Sequence, residues 1–385
     1  MPERLRVLAV DIGTGTQDVL FFDSAESIEN CYQLVLPSPT VIVAERIRRA
    51  TRAGAPLVLT GRTMGGGPSA WAARDHALAG LPTFATPDAA RTLDDDLAQV
   101  EQFGIRIITE DEAARLLEGS EPGAIHVALR DFDAVALRSA RAAFDVDVAV
   151  DLVAVAAFDH GAAPPGYSDR RFRFDYIRRA VAERPEPVAF SYRAADVPED
   201  MTRLRAVARD AAGFPPSGRV PVLMMDSAAA AVAGALDDHH VRGLPEAVVA
   251  NLGNFHTLAF HLRGGRIRGL FEHHTGELTQ AELERYLDRL AAGILTDDEV
   301  FAESGHGALL LPDGAEEEAR SGNLPLAITG PRRALLRASR WQPYEAAPHG
   351  AMMLAGCFGL LRAVALHHPN LSPAIEDALG PPPGA

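Results

Sequence analysis

The chain carries one strand pattern twice, and this repeat restricts its possible folds more than any other feature. Each copy has three short apolar segments, and a polar turn containing glycine joins the first two of them. The copies lie at residues 5–10, 19–22 and 31–36, and again at residues 247–250, 257–262 and 266–271. Each copy predicts a three-stranded meander. We therefore predict two related halves that divide near residues 240–246.

Between and after the meanders, apolar segments of strand length alternate with segments of helical periodicity. Alternation of this kind predicts an α/β fold with a largely parallel sheet. We expect a first domain over residues 1–245, with an inserted region at about 60–215, and a second domain over residues 246–385. The acidic stretch 312–322 is expected to form a surface loop, and residues 350–366 are expected to form a long helix.

Composition narrows the possible functions. The 385 residues are 47% hydrophobic and 23% charged, which is typical of a globular protein, and we expect a cytoplasmic location because no apolar run is long enough for a membrane span. A net charge of −15 argues against nucleic-acid or anionic-membrane partners and favours small molecules or proteins. The sequence contains no lysine, so a lysine-dependent phosphate loop, a Schiff base and lysine-bound pyridoxal phosphate are excluded.

The turn of the first meander has the composition of a phosphate-binding loop. Asp11 ends the first apolar segment, and Gly13, Thr14, Gly15 and Thr16 follow. Glycines let a backbone approach a phosphate, and a carboxylate at a strand end can hold hydrated Mg²⁺. The alternative is a tight hairpin whose polar side chains bond only to their own backbone. The string at 251–257 occupies the same place in the second meander, so a phosphate chain clamped between two facing turns would explain both.

These strings resemble the two phosphate loops of the actin-like ATPase superfamily, which includes actin, Hsp70 and sugar kinases. Small residues at 228–235 and 350–359 resemble its two connecting helices, which act as a domain hinge. The resemblance implies two actin-like (ribonuclease H-like) domains with ATP and Mg²⁺ in the cleft between them. It implies that Asp11 holds Mg²⁺ through water and that the nucleotide contacts are Gly13, Thr14, Gly15, Thr16, Asp226, Gly253, Asn254, Thr257 and, near the adenosine, Gly330.

One position departs from the superfamily pattern. The second phosphate loop of the superfamily carries an aspartate that places the metal and the attacking water, and Asn251 stands there in this chain. An amide cannot act as a base. Two functions therefore remain open: an ATPase or phosphotransferase, or a non-enzymatic nucleotide-dependent switch or scaffold that acts on a partner protein.

Two further loops are candidates for binding an acceptor. Arg62, Gly65 and Gly66 lie between a strand and a helix, where they could bind an anion, although the glycines could equally serve only a turn. Asp159 and His160 end an apolar strand, and either could be the general base for a hydroxyl acceptor. The alternative for this pair is a capping aspartate beside a surface histidine.

Three histidine pairs, at 239–240, 273–274 and 367–368, do not have the spacing that places two imidazoles on one face of a helix, so we expect solvated or loop histidines rather than a metal site. The run at 94–96 is expected to cap the following helix.

More narrowly, the layout resembles an uncharacterised family within the superfamily whose members are often labelled pyruvate formate-lyase activating enzyme. Radical activating enzymes of that kind need a cluster-binding CxxxCxxC motif, and this chain has two isolated cysteines, Cys31 and Cys357. Radical chemistry of the kind the label implies is therefore not expected.

Overall fold

The computed structural model describes residues 4–120, 123–145, 149–215, 218–311 and 324–382. The expected loop at 312–322 lies outside these residues. The strands, in chain order, are β1 (Arg6–Ile12), β2 (Thr16–Asp23), β3 (Tyr32–Pro37), β4 (Leu57–Gly61), β5 (Thr83–Ala85), β6 (Arg106–Ile107), β7 (Ile125–Leu129), β8 (Leu152–Ala157), β9 (Ser191–Arg193), β10 (Val222–Met225), β11 (Glu246–Leu252), β12 (His256–Arg263), β13 (Arg266–His274), β14 (Gly307–Leu310), β15 (Leu326–Thr329) and β16 (Tyr344–Glu345).

The helices are α1 (Pro39–Ala53), α2 (Pro68–Leu78), α3 (Pro87–Ala90), α4 (Leu97–Gln102), α5 (Glu110–Arg115), α6 (Ala134–Ala142), α7 (Asp169–Glu183), α8 (Thr202–Ala211), α9 (Ser227–Ala235), α10 (His239–Arg242), α11 (Gln280–Ala291), α12 (Asp297–Ala302), α13 (Ala355–His367) and α14 (Ser372–Leu379). Within the described residues, no helix is both long and apolar enough to cross a membrane. The architecture is mixed α/β, and the described residues form three sheets.

The two meanders lie in separate sheets that share an arrangement of five strands, with the sixth strand at opposite edges. The first sheet has the strand order β3-β2-β1-β8-β10-β9, and the second has the order β14-β13-β12-β11-β15-β16. In both, the first strand of the meander pairs antiparallel with the second and parallel with a later strand, β8 or β15. Strands β1 and β8 are buried throughout apart from Arg6, which fits a parallel centre covered on both faces. The repeat in the sequence is therefore a repeat in the topology.

The residues at about 60–215, where the sequence predicts an inserted region, are divided between two sheets. Strands β4 to β7 form a separate parallel sheet in the order β6-β5-β4-β7, whereas β8 and β9 belong to the first sheet. The separate sheet has its own apolar core, in which Val43 and Ile47 of α1 pack with Leu57, Leu59 and Val127. The insertion thus begins with α1, because that helix buries its apolar face against this sheet.

Helices α9 and α13 cross at their glycines. A Cβ atom on Gly234 would lie 1.7 Å from the carbonyl oxygen of Ala355, and one on Gly359 would lie 2.0 Å from that of Ala230. The helix expected at 350–366 begins only at Ala355, since His349 and Gly350 adopt positive φ angles of 49° and 75°. Small residues thus permit a backbone-to-backbone crossing between the two repeated sheets.

Candidate functional site

The two meander turns close in the same way. The Gly13 amide donates to the Thr16 carbonyl oxygen at 2.9 Å, and the Gly253 amide donates to the His256 carbonyl oxygen at 3.0 Å. Asp11 and Asn251 each lie two residues before the glycine, near the end of β1 and β11. The turns are therefore structural equivalents as well as sequence equivalents.

The turns also face each other. A Cβ atom on Gly15 would lie 2.4 Å from Nδ2 of Asn254, so the side chain of the second turn lies directly against the backbone of the first. The amides of Thr14, Gly15, Asn254 and Phe255 donate to no acceptor among the described residues. Successive unpaired backbone amides form concavities that bind anions. The paired turns thus offer donors to an anion from two sides.

Two carboxylates lie behind the first turn. Asp11 accepts a hydrogen bond from Ser227 Oγ at 2.6 Å. Burial raises the pKa of Asp11 to about 7, although this hydrogen bond lowers it; the charge of Asp226 raises it further. Burial and the charge of Asp11 raise the pKa of Asp18 to about 8, and Oδ1 of Asp18 has no hydrogen-bond partner in the described part of the chain. This excess of buried negative charge fits a nearby cation, and oxygen ligands are those that Mg²⁺ prefers.

The other residues assigned to the nucleotide occupy different positions. Gly330 follows β15 and packs against β11, where a Cβ atom would lie 2.6 Å from Oδ1 of Asn251. Thr257 is fully buried, and its hydroxyl group is hydrogen-bonded to that of Thr275 at 3.0 Å. Asp226 caps α9 by accepting from the amides of Ala228 and Ala229.

A buried ion-pair group crosses from the first half to the second. Arg173 of α7 binds Asp226 at 2.8 Å and makes a bidentate pair with Glu272 of β13 at 2.8 and 3.1 Å. All three side chains are at most 1% exposed. One guanidinium thus holds two carboxylates that burial would otherwise leave unpaired.

A cavity of about 1050 Å³ opens beside the facing turns. Thr14 and Phe255 bring the tips of the two turns to its wall, and Gly65 and Gly66 line it from the inserted region. Arg62 lines a different cavity, of about 280 Å³, and pairs with Asp210 at 2.9 Å. The Gly65 amide already donates to Asp131, at 3.0 Å to Oδ2. Arg62 is therefore not brought together with Gly65 and Gly66.

Asp159 and His160 line the large cavity, but their chemistry restricts them. Asp159 accepts from the amides of Gly161 and Leu204 at 2.9 Å each, so its carboxylate is held as a cap. Burial, with neighbouring His306 and Arg173, lowers the pKa of His160 to about 3. A general base works best when its pKa lies near the operating pH, and His160 lies far below neutrality.

Asp95 lines the same cavity, although the sequence predicted only a helix-capping role for the run that contains it. Of the expected capping run, Asp96 does cap α4 by accepting from the Ala98 amide at 2.9 Å. Asp95 is exposed to solvent, but partial burial against the cavity wall raises its pKa to about 6, assisted by the charges of Asp159, Asp169 and Asp94 and opposed by that of Arg91. A carboxylate of this pKa suits a general base at neutral pH better than His160 does. Only its position beside two other aspartates in the sequence hinted at a raised pKa.

Four histidines gather beside the cavity: His160, His256 and His274 line its wall, and His306 is buried behind them. Of the four, only His160 was predicted from the sequence as a site residue. Ring nitrogens of His160, His256 and His306 lie within 4.8 Å of one another. The ring centroid of His274 lies 4.6 Å from the ring centroid of His306 and 5.1 Å from that of His256. His274 is therefore not a solvated histidine, whereas His239 is highly exposed, as expected. The register of β12 on β13, which pairs His256 with His274, was the available signal.

Comparison with known proteins identifies the family. A family profile described as "Putative pyruvate format-lyase activating enzyme (DUF1786)" matches residues 64–335. Among solved structures, ROK hexokinase from Thermus thermophilus is 14% identical, with 95% of this chain and 100% of that chain covered and a TM-score of 0.27. An exopolyphosphatase-like protein is 12% identical, with 97% of this chain and 91% of that chain covered and a TM-score of 0.22. No curated protein matches the chain. Because the matched residues make up more than half of its length, the chain belongs to the DUF1786 family.

Proposed function

We propose that the chain is a Mg-ATP-dependent phosphotransferase or ATPase whose nucleotide phosphates lie between the two meander turns. The observation that carries this proposal is the pair of equivalent turns, closed by the same hydrogen bond and facing each other at Gly15 and Asn254. Four amides without an acceptor in the described chain lie at their tips. A polyanion between the turns would give these donors partners.

Asp11 and Asp18 are the residues that would hold Mg²⁺, through water in the case of Asp11. When bound, the ion would neutralise charge on the transferring phosphoryl group. In its absence, the raised pKa values of the two carboxyls keep part of this pair protonated near neutral pH. Binding of the cation is therefore expected to release protons.

The cavity beside the turns is the proposed acceptor site. Its wall combines Arg91, Arg170 and Arg203 with aspartates, so it suits a small polar metabolite rather than an apolar one. Asp95 would take the proton from the acceptor hydroxyl as the oxygen attacks the phosphoryl group. His160 and Asp159, proposed from the sequence for this role, would instead shape the cavity.

The alternative of a switch without turnover rests on Asn251. Its amide stands at the position equivalent to Asp11 in the second turn and cannot activate water. This form of the proposal keeps nucleotide binding between the turns and assigns the output to domain movement about the α9–α13 crossing. A partner protein would then read the nucleotide state.

Release of ADP tests the proposal in its enzymatic form. We expect Mg-ATP turnover to rise when a suitable sugar, polyol or hydroxy acid is added, and to fall below about pH 6 as Asp95 becomes protonated. Asp95→Asn should lower the acceptor-dependent rate about 100-fold or more and remove the acid limb of the profile. Exposed Asp377→Asn is the matched control. Tight nucleotide binding without turnover for any acceptor would favour the switch.

The activity printed in the family description is not proposed for this chain. Both cysteines are buried, and Cys357 donates to the carbonyl oxygens of Ala9 and Asp18 within the core. They offer no set of thiolates for a cluster.

A further inference from the structure

We propose that His160, His256 and His306 form a binding site for a divalent transition-metal ion, of which Zn²⁺ is the first candidate, at the wall of the large cavity. The nitrogen atoms that would serve as ligands lie within 4.8 Å of one another. Neither the proposed nucleotide site nor the proposed Mg²⁺ site uses these side chains.

The histidines come from both halves of the fold. His160 follows β8 of the first sheet, whereas His256 begins β12 and His306 directly precedes β14 of the second sheet. The cross-strand partner of His256, His274, ends β13 in the same cluster. The topology thus brings one strand end of the first half against three strand ends of the second. A metal bound here would tie the two halves together beside the facing turns.

Unpartnered nitrogens support a ligand at this place. His306 is fully buried, and neither of its ring nitrogens has a hydrogen-bond partner among the described residues. Nε2 of His256 also has no hydrogen-bond partner in the described residues. Buried polar atoms normally have partners, and those without one call for an explanation such as an ion. A metal ion would give three imidazoles one shared partner.

Packing holds the rings in place. Phe158 stacks on His256 with ring centroids 3.9 Å apart and planes 7° from parallel. The His306 amide donates to the Glu272 carbonyl oxygen at 2.9 Å, and Arg170 binds the carbonyl oxygens of Phe301 and Gly305 just before it. Tetrahedral Zn²⁺ needs nitrogens about 3.4 Å apart, so small side-chain movements that bring the nitrogens up to about 1.4 Å closer suffice.

The local charge and chemistry define the class of ion. Imidazole ligands suit Zn²⁺, Ni²⁺, Cu²⁺ and Fe²⁺, whereas Mg²⁺ prefers oxygen. Glu272 lies 3.7 Å from Nδ1 of His306, at the place where metal-bound histidines commonly have a carboxylate neighbour. Arg170 and Arg173 lie close to the histidines, and the carboxylates of Asp226 and Glu272 balance their charge.

The open side of the site faces the cavity. His160, His256 and His274 all line it, whereas His306 lies behind them. Three protein ligands with one position open to a cavity is the arrangement in which a zinc site accepts water or a substrate oxygen. The ion would therefore bind a carboxylate, hydroxyl or phosphate group of the molecule in the cavity, unless His274 fills the fourth position.

Titration with Co²⁺ followed by displacement with Zn²⁺ tests the proposal. The full chain, stripped by a chelator and dialysed, should bind one Co²⁺ per chain with visible ligand-field absorption. His160→Gln and His256→Gln should each weaken binding at least 100-fold, with far-UV circular dichroism confirming an intact fold. The double variant His239→Gln/His240→Gln, which removes exposed histidines, is the matched control and should bind as the wild type does.

Two outcomes would overturn the proposal: no stoichiometric binding by the wild type, or equal binding by His160→Gln and the control. Should one site variant fail to fold, the other decides, since the two side chains come from different sheets. The titration contains no nucleotide, so the metal site and the nucleotide site can fail independently.

Discussion

Gly359→Ala is expected to destabilise the protein by about 3 kcal/mol, the upper end of the usual cost of overpacking, because the added methyl group meets rigid backbone. The added methyl group would lie 2.0 Å from the Ala230 carbonyl oxygen and 3.0 Å from the Gly234 amide nitrogen. Both neighbours are main-chain atoms of α9, so no side chain can move aside. The two helices would have to separate, and with them the sheets that they support. Urea denaturation measures the change in the free energy of unfolding.

The matched control for this substitution is Gly276→Ala, where an added Cβ would meet no atom within 4 Å. Its unfolding free energy should stay within about 0.5 kcal/mol of the wild-type value. Equal stability of the two variants would show that α9 and α13 do not cross at their glycines. The close approach of the two helices, and the hinge inferred from it, would then be wrong.

Arg173→Met should destabilise the protein by about 3 to 5 kcal/mol, the cost of breaking a buried ion pair from one side. Asp226 and Glu272 are 1% and 0% exposed and would lose the guanidinium that binds both. Methionine preserves much of the buried volume, so the loss reports charge rather than a cavity. The double variant Arg173→Met/Glu272→Gln should recover part of the loss, because one unpaired charge is removed.

Arg179→Met serves as the control on the same helix. Arg179 is 61% exposed and pairs with Asp200 at 3.3 Å, so its removal should cost about 1 kcal/mol or less. If Arg173→Met cost no more than this control, the buried group would not be structural. A smaller loss in the single variant than in the double variant would contradict the charge argument as well.

Local patterns in the sequence were enough to predict the meanders. The segments at 5–10 and 19–22 are apolar, and glycine and threonine separate them, so β1, β2 and their turn follow from short-range chemistry. The small residues of α9 likewise indicated a close crossing. Strands β5, β9, β14 and β16 are only two to four residues long. Strands of this length depend on their neighbours and leave no periodicity to detect.

The candidate site divides in the same way. The facing turns were predicted because each turn has its own signal in the sequence. The histidine cluster was missed, since His160, His256 and His306 are far apart in the chain and meet only through the arrangement of two sheets. His160 also shows how burial changes a role: a histidine at a strand end suggests a base, and its surroundings lower its pKa too far for that role.

Calorimetric titration with ATP, with and without Mg²⁺, tests the central claim most directly. We predict Mg-dependent micromolar binding by the wild type. Gly15→Ala should bind at least tenfold more weakly, about 1.4 kcal/mol, because the methyl group would lie 2.4 Å from Nδ2 of Asn254 and displace that side chain from its place between the turns. Gly276→Ala should bind as the wild type does. No binding of ATP by the wild type, or equal binding by Gly15→Ala and this control, would contradict a nucleotide site between the two turns.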